Sequence, residues 1–216
     1  GWGAGGRWRE QVPSSSWGHC SHKSGHSSDK PGKLVGRNST EGLSATRLNL
    51  EGAGDRSQKR VGTAFSAEMG TLKAGNTQRA VLYFGSIANP APEAVRAAVV
   101  ACSDTAYVYV TTKSKPNPAK LKRVTIAVEG LASAKAGFDK GMALVKGIEF
   151  AKEWGNRPAN HATPTLLGGA ARELAKLPRM RVEVLGPKEV ERLGMGSFMA
   201  VAQGTAEPLR FIVLRY

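Results

Sequence analysis

Residues 155–165 constrain the fold of this chain more than any other segment, because one helix cannot run through them. Arg157 precedes Pro158, and the proline ring disfavours helical backbone at the residue before it. At the other end, Thr163 can cap a new helix with its hydroxyl, and Pro164 would occupy the first helical position, where no N–H is needed. The sequence therefore predicts a hinge between two bodies.

Helical periodicity flanks this hinge on both sides. We expect a helix from about Ala132 to Trp154, with one apolar stripe formed by Gly141, Leu144, Val145, Ile148 and Ala151 and a charged face opposite that includes Glu153. A second helix begins at Pro164, and its stripe is Leu167, Ala170, Ala171 and Leu174.

Predicted strands alternate with these helices. Residues 79–84, 123–128 and 181–185 have strand composition. A helix is expected with Val95, Ala98, Val99 and Cys102 on one buried face, and a short helix over 188–193. Phe211 to Leu214 is a continuous apolar run, which is typical of a strand buried on both faces of a sheet. The alternation predicts an α/β fold with a parallel sheet.

Residues 1–60 differ in composition from the rest. They are rich in Gly, Ser and basic residues, and hardly two aliphatic residues follow each other. Such a segment buries too little apolar area to offset chain entropy. We expect it to be disordered, or not native to the protein.

The formal net charge of +14 raises the question of a nucleic-acid or anionic-membrane partner. The basic excess is five in residues 1–60 (10 basic, 5 acidic), five in 61–140 (10 and 5) and four in 141–216 (11 and 7). Because it is spread along the chain, we favour a solvated basic surface and keep DNA binding as an alternative.

Cysteine usage and hydropathy point to a reducing compartment. Cys20 and Cys102 lie in different contexts and suggest no disulfide framework. No run approaches the roughly 18 apolar residues of a membrane span, and the start lacks an apolar signal core. We expect a cytoplasmic protein with no membrane partner, and both ends look cut.

Three patterns in the first sixty residues resemble sites by chance. The glycine spacing of a dinucleotide-binding loop lacks a preceding strand, and a glycosylation triplet without a secretory signal carries no meaning. Four His and Cys side chains could bind a soft metal ion, but no second set of ligands follows them at zinc-finger spacing. These patterns comprise Gly1, Gly3 and Gly6; Asn38, Ser39 and Thr40; and His19, Cys20, His22 and His26.

The remaining candidates have simpler structural interpretations. Cys102 is expected to be a small core residue near the end of its helix, and His161, without partners, to serve the turn rather than a metal. Asn156 and Asn160 should tie down the hinge backbone. Glu189 and Glu191 are two apart on a helix and cannot face one ligand.

Several of these segments resemble the cytosolic leucyl aminopeptidases. Asn156 to Asn160 with Thr163-Pro164 is similar to the N-x-P-x-N followed by T-P that opens their catalytic domain. Further similarity to that family's strands and short signatures lies in residues 182–185, 195–198, 201–204 and 208–214. The resemblance covers about residues 92–216, and we see none before residue 60.

The resemblance implies a fold and an activity. Family members are metalloaminopeptidases that release an N-terminal residue, often leucine, from peptides, and they assemble as hexamers. Two divalent ions, usually zinc, manganese or magnesium, lower the pKa of a bridging water that attacks the peptide. For this chain it implies a partial amino-terminal, macro-like α/β domain over 61–130, a connecting helix over 131–157, and the start of a mixed or parallel-sheet catalytic domain over 158–216.

The family's metal-binding residues have no counterpart in this sequence. They lie in a G-K-G-x-x-F-D-[ST]-G-G motif and an N-T-D-A-E-G-R-L motif, and neither occurs before Tyr216. We therefore expect no catalytic, cofactor-binding or metal-binding residue here, and an inactive fragment that holds no metal ion. A non-catalytic interaction fragment with an exposed sheet edge is a further alternative.

Overall fold

The computed structural model describes residues 34–37, 48–51, 57–84, 90–128 and 131–216. It divides into two units, one formed by residues 1–110 and 117–150, the other by residues 111–116 and 151–216. Along the described residues, no helix has the length and apolar character needed to cross a membrane.

Two short strands lie within the first sixty residues, where we expected disorder. β1 (Leu34–Arg37) and β2 (Leu48–Glu51) form an antiparallel pair. Backbone hydrogen bonding thus organises these eight residues despite the poor composition around them. The glycine, cysteine–histidine and glycosylation patterns noted above lie outside the described residues.

A strand–helix–strand unit forms the centre of the first unit. β3 (Arg79–Tyr83) and β4 (Arg123–Ala127) pair in parallel, and α2 (Pro92–Ala106) lies between them in the chain. This confirms the predicted α/β character and a parallel pair of strands. The crossover by way of a helix is the connection that parallel neighbours require.

Helix α1 (Gln58–Ala74) precedes this unit and was missed by the sequence analysis. The Ser57 hydroxyl accepts a hydrogen bond from the Arg60 N–H at 3.5 Å and caps its first turn. At the far end, Lys73 Nζ donates to the carbonyls of Thr105 and Tyr107, which stabilises the end of α2.

The apolar face predicted for α2 is confirmed. Val95, Ala98 and Cys102 belong to core clusters that also contain residues of α1, β3 and β4. Their side chains are at most 1% exposed: Val95, Ala98, Val99 and Cys102.

Helix α3 (Leu131–Asn156) approaches α2 closely through glycine. A Cβ atom added at Gly137 would overlap the carbonyl oxygen of Pro92 and lie 2.8 Å from its carbonyl carbon. At Gly141 it would lie 2.9 Å from Val99 Cβ. The buried stripe of α3 therefore runs through Ala134, Gly137, Gly141 and Val145.

This corrects the predicted stripe of α3. Gly141 and Val145 are buried and Ile148 is half-buried, as predicted, but Leu144 is 48% exposed and Ala151 is also exposed. The prediction missed Ala134 and Gly137, which are buried because α2 lies close to this part of α3.

The second unit contains α4 (Pro164–Leu174), β5 (Arg181–Leu185), α5 (Pro187–Arg192), α6 (Gly196–Ala202) and β6 (Phe211–Arg215). β5 and β6 pair antiparallel, with Leu185 opposite Phe211. β6 is only half-buried and Leu214 is 48% exposed, so the prediction of a strand buried on both faces is wrong within the described residues. The apolar run reports strand propensity but not how the strand is covered.

The glycine contact yields the first prediction. Gly137→Ala should lower the free energy of unfolding by about 1–3 kcal/mol, because the new methyl group cannot fit against the Pro92 carbonyl without moving the helix. Gly147→Ala on the same helix is the control. No atom lies within 4 Å of its added Cβ, so it should raise stability by about 0.5–1 kcal/mol.

Urea unfolding followed by circular dichroism measures both variants. Equal effects of the two substitutions would show that helix propensity, rather than the close contact, governs position 137.

The buried thiol yields the second prediction. Burial raises the pKa of Cys102 from 9.0 to about 12, so the folded chain keeps the thiol neutral where the unfolded chain would ionise it. In a Cys20→Ser background, Cys102 should react with Ellman's reagent slowly at mildly alkaline pH and at once in denaturant. Its contribution to stability should fall as the pH rises above 9.0, since the unfolded chain then binds fewer protons.

Rapid labelling of the folded chain at one thiol per molecule would contradict this core position for Cys102.

Candidate functional site

Residues 155–165, which we call the connecting segment, form the break between two helices that their sequence predicts. Helix α3 ends at Asn156, a single 3-10 turn spans Ala159–His161, and α4 begins at Pro164. The Thr163 hydroxyl accepts a hydrogen bond from the Leu166 N–H at 3.3 Å, which confirms the predicted cap.

Glu153 anchors the end of α3. Its Oε1 atom accepts hydrogen bonds from Arg157 Nη2 at 3.0 Å, Arg157 Nε at 3.2 Å and Thr111 Oγ1 at 2.6 Å. The Arg157 guanidinium also lies 4.1 Å from the ring centroid of Trp154. A planar guanidinium can stack and form a two-donor ion pair at once, so it fixes the chain at the residue where the helix stops.

Sequence reasoning placed Glu153 only on a charged face and missed this role. The four-residue spacing between Glu153 and Arg157 is the signal that could have identified the pair. The Thr111 contact had no such signal, because it joins residues 42 apart in the chain.

The polar residues of the connecting segment were predicted to tie down its backbone, and that role stays a prediction. Asn156 Nδ2 donates to the Lys152 carbonyl within α3 at 2.8 Å. His161 is exposed, and its backbone N–H donates to the Pro158 carbonyl at 2.8 Å in the 3-10 turn. Asn160 is also exposed.

Side-chain contacts hold the two-stranded sheet of the second unit. Phe198 packs edge-on against Phe211 with 5.6 Å between ring centroids. Arg215 Nη1 donates to Glu183 Oε1 at 2.7 Å across the strands. A Cβ atom added at Gly168 would lie 3.0 Å from Val184 Cγ1, so glycine permits the close approach of α4 to β5.

Glu189 caps a helix rather than serving chemistry. Hydrogen bonds from its own backbone N–H and from the Gly186 N–H lower the pKa of its carboxyl group. Such a group stabilises the fold above its unfolded pKa, and this contribution is lost as the pH falls through the lowered value. Glu191 is exposed on the same short helix, and only Glu189 has this capping geometry.

A metal centre cannot be built from these side chains. Among the residues that the structure describes, no three His, Cys, Asp or Glu side chains lie close enough together to hold an ion. A two-ion centre needs several converging oxygen or nitrogen ligands. The described part of the chain therefore does not fit such a centre, and its polar contacts position backbone instead.

Most of the second unit lies in a range of residues that matches a known family. The model of the cytosol aminopeptidase family, catalytic domain, matches residues 149–216. This range contains the connecting segment, the Glu153–Arg157 pair and the β5–β6 sheet.

Curated relatives match much more of the chain. The probable cytosol aminopeptidase of Polaromonas naphthalenivorans is 67% identical over 195 residues, which are 90% of this chain and 38% of the relative. That of Albidiferax ferrireducens is 52% identical over 194 residues, 90% of this chain and 40% of the relative. The chain thus spans about 38–40% of the length of these relatives.

This coverage corrects our expectation that the resemblance covers only about residues 92–216. The first alignment covers 90% of this 216-residue chain, so about 22 residues lie outside it and it extends into the first sixty residues, where we saw no similarity. Their unusual composition hid that relationship from motif reading.

Solved structures share the fold. The bottromycin maturation enzyme BotP in complex with Mn superposes with a TM-score of 0.72 at 25% identity, over 91% of this chain and 42% of that one. A mutant of tomato leucine aminopeptidase gives a TM-score of 0.71 at 21% identity, over 86% and 38%. The family-model match over residues 149–216 and the two relatives, 67% and 52% identical over 90% of this chain, show that the chain is similar to the cytosol aminopeptidases along most of its length.

Proposed function

We propose that this chain is part of an enzyme that removes N-terminal residues, preferentially leucine, from peptides. The observation that carries the proposal is the 67% identity to a probable cytosol aminopeptidase over 90% of the chain. The match of residues 149–216 to the family's catalytic domain supports it. The proposed setting is the cytoplasm, and the proposed assembly of the intact enzyme is a homo-hexamer.

The chain alone is proposed to hydrolyse nothing. Two divalent ions, manganese, zinc or magnesium, would supply the activated water in the intact enzyme, and a related structure is described in complex with Mn. The described residues provide no set of ligands for such ions. The ions must then be held by residues other than those described.

The contribution of this chain is proposed to be structural support for the catalytic domain. In this division residues 61–130 form a partial amino-terminal domain, 131–157 the connecting helix and 158–216 the start of the catalytic domain. The Glu153–Arg157 pair and the Thr163 cap lie close to the proposed start of the catalytic part and support this division. The antiparallel β5–β6 pair then supplies a sheet onto which further strands can add.

A chimera tests this proposal. The chain replaces the aligned segment of the Polaromonas naphthalenivorans relative, and hydrolysis of leucine p-nitroanilide is measured with manganese, zinc or magnesium. The chimera should be active, with leucine preferred over other aminoacyl p-nitroanilides, while the 216-residue chain alone should give only the blank rate. The intact relative is the positive control.

Turnover by the chain alone would contradict the assignment of chemistry to other residues. A folded chimera without activity would contradict the proposed role in an aminopeptidase.

A further inference from the structure

An open groove lies between the three helices of the first unit. Its volume is about 710 Å³, which is within the range of small-ligand sites. Its lining comes from α1 and α2, with Leu144 of α3, and every lining residue belongs to the first unit. We call it the helix groove.

The helix groove has an apolar strip along α2. Ala97, Val100 and Ala101 recur at the spacing of one helix face, and Leu144, which is 48% exposed, extends the strip. On the α1 side, a Cβ atom added at Gly62 would meet no atom within 4 Å, so the space above the glycine is open. The strip can therefore accept apolar side chains from a ligand.

Opposite charges lie at the two ends of this strip. Arg96 Nη2 donates to Gln58 Oε1 at 3.1 Å, which places its guanidinium beside the first turn of α1 and so near Lys59. Asp104 lines the groove eight residues further along α2, which corresponds to about 12 Å of helix. The groove is thus basic at one end and acidic at the other.

We propose that the helix groove binds a short peptide whose amino and carboxyl ends are both free. An extended residue spans about 3.3–3.6 Å, so three to four residues cover the distance from Arg96 to Asp104. The peptide carboxylate accepts hydrogen bonds from Arg96 and Lys59, the ammonium group pairs with Asp104, and apolar side chains cover the strip. The binding needs no hydrolysis, so it can be tested whether or not the proposed aminopeptidase activity is correct.

A simple anion such as phosphate matches the helix groove less well. It would meet the two cations at one end, but Asp104 would repel it and the apolar strip would gain no contact. A peptide uses the basic end, the strip and the acidic end together.

Nuclear magnetic resonance titration of the ¹⁵N-labelled 216-residue chain with leucyl-alanyl-leucine tests the proposal. The amide signals of Gly62, Ala97 and Ala101 should shift and saturate. Gly62→Leu should weaken binding at least about tenfold, because the new side chain occupies the groove. The matched control is Gly70→Leu on the same helix, where an added Cβ also meets no atom within 4 Å and which does not line the groove, so binding should be unchanged.

Recognition of the two peptide ends is tested separately. Asp104→Asn should weaken binding of the free peptide about three- to fivefold, as expected for an exposed ion pair, and leave binding of the N-acetylated peptide unchanged. Arg96→Gln should do the same for the free peptide and leave binding of the peptide C-terminal amide unchanged. If Gly62→Leu does not fold, these two variants and the capped peptides still test the proposal.

Three results would overturn the proposal. The first is the absence of saturable shifts up to about 10 mM peptide. The second is equal weakening by Gly62→Leu and Gly70→Leu, and the third is binding of the capped peptides as tight as that of the free peptide. Displacement of the peptide by an equal concentration of inorganic phosphate would also overturn it and would indicate an anion site.

Discussion

The close contact between α2 and α3 is the interaction on which the first unit depends. Gly137 and Gly141 allow the backbone of α3 to reach Pro92 and the side chain of Val99. At that separation Ala134 and Phe138 join the same apolar cluster as Val95 and Ala98. Larger residues at the two glycine positions would separate the helices and leave that cluster open to water, so the smallest residues of α3 determine whether the cluster is buried.

The second unit is organised by hydrogen bonds more than by apolar burial. Few of its large side chains are fully buried, with Val190 the clearest case at 0% exposure. The end of α3 is instead defined by the Glu153–Arg157 ion pair, the stacking on Trp154 and the Thr111 hydroxyl. Local contacts of this kind set the direction of the chain, and apolar side chains such as Leu193 and Val201 are exposed in it.

Sequence reasoning succeeded where one local rule decides the outcome. The Arg157-Pro158 and Thr163-Pro164 pairs ended one helix and began the next as predicted, because proline geometry and side-chain capping act within a few residues. The buried face of α2 followed from its apolar spacing for the same reason. Helix α1, which precedes α2 in the chain, was missed because Gly62 and Gly70 interrupt a weak apolar pattern that tertiary packing completes.

Non-local features escaped prediction. The buried stripe of α3 depends on how closely α2 approaches it. The direction in which β6 pairs depends on β5, and the register partners Leu185 and Phe211 are 26 residues apart in the chain. Parallel pairing likewise brings Arg79 beside Arg123, two residues that are 44 apart in the chain. The resemblance to the family could be recognised from short motifs. The extension of that similarity into the first sixty residues was visible only when the whole chain was compared.

Our central proposal is that the described residues of this chain support a metal-dependent catalytic domain without themselves providing the metal ligands. Titration of the chain with Mn²⁺, followed by the electron paramagnetic resonance signal of the free ion, tests it most directly. The account predicts that the signal grows in proportion to added Mn²⁺, as in buffer. Loss of the free-ion signal up to one or two equivalents per chain would show that a metal site is formed by this chain and would contradict the account.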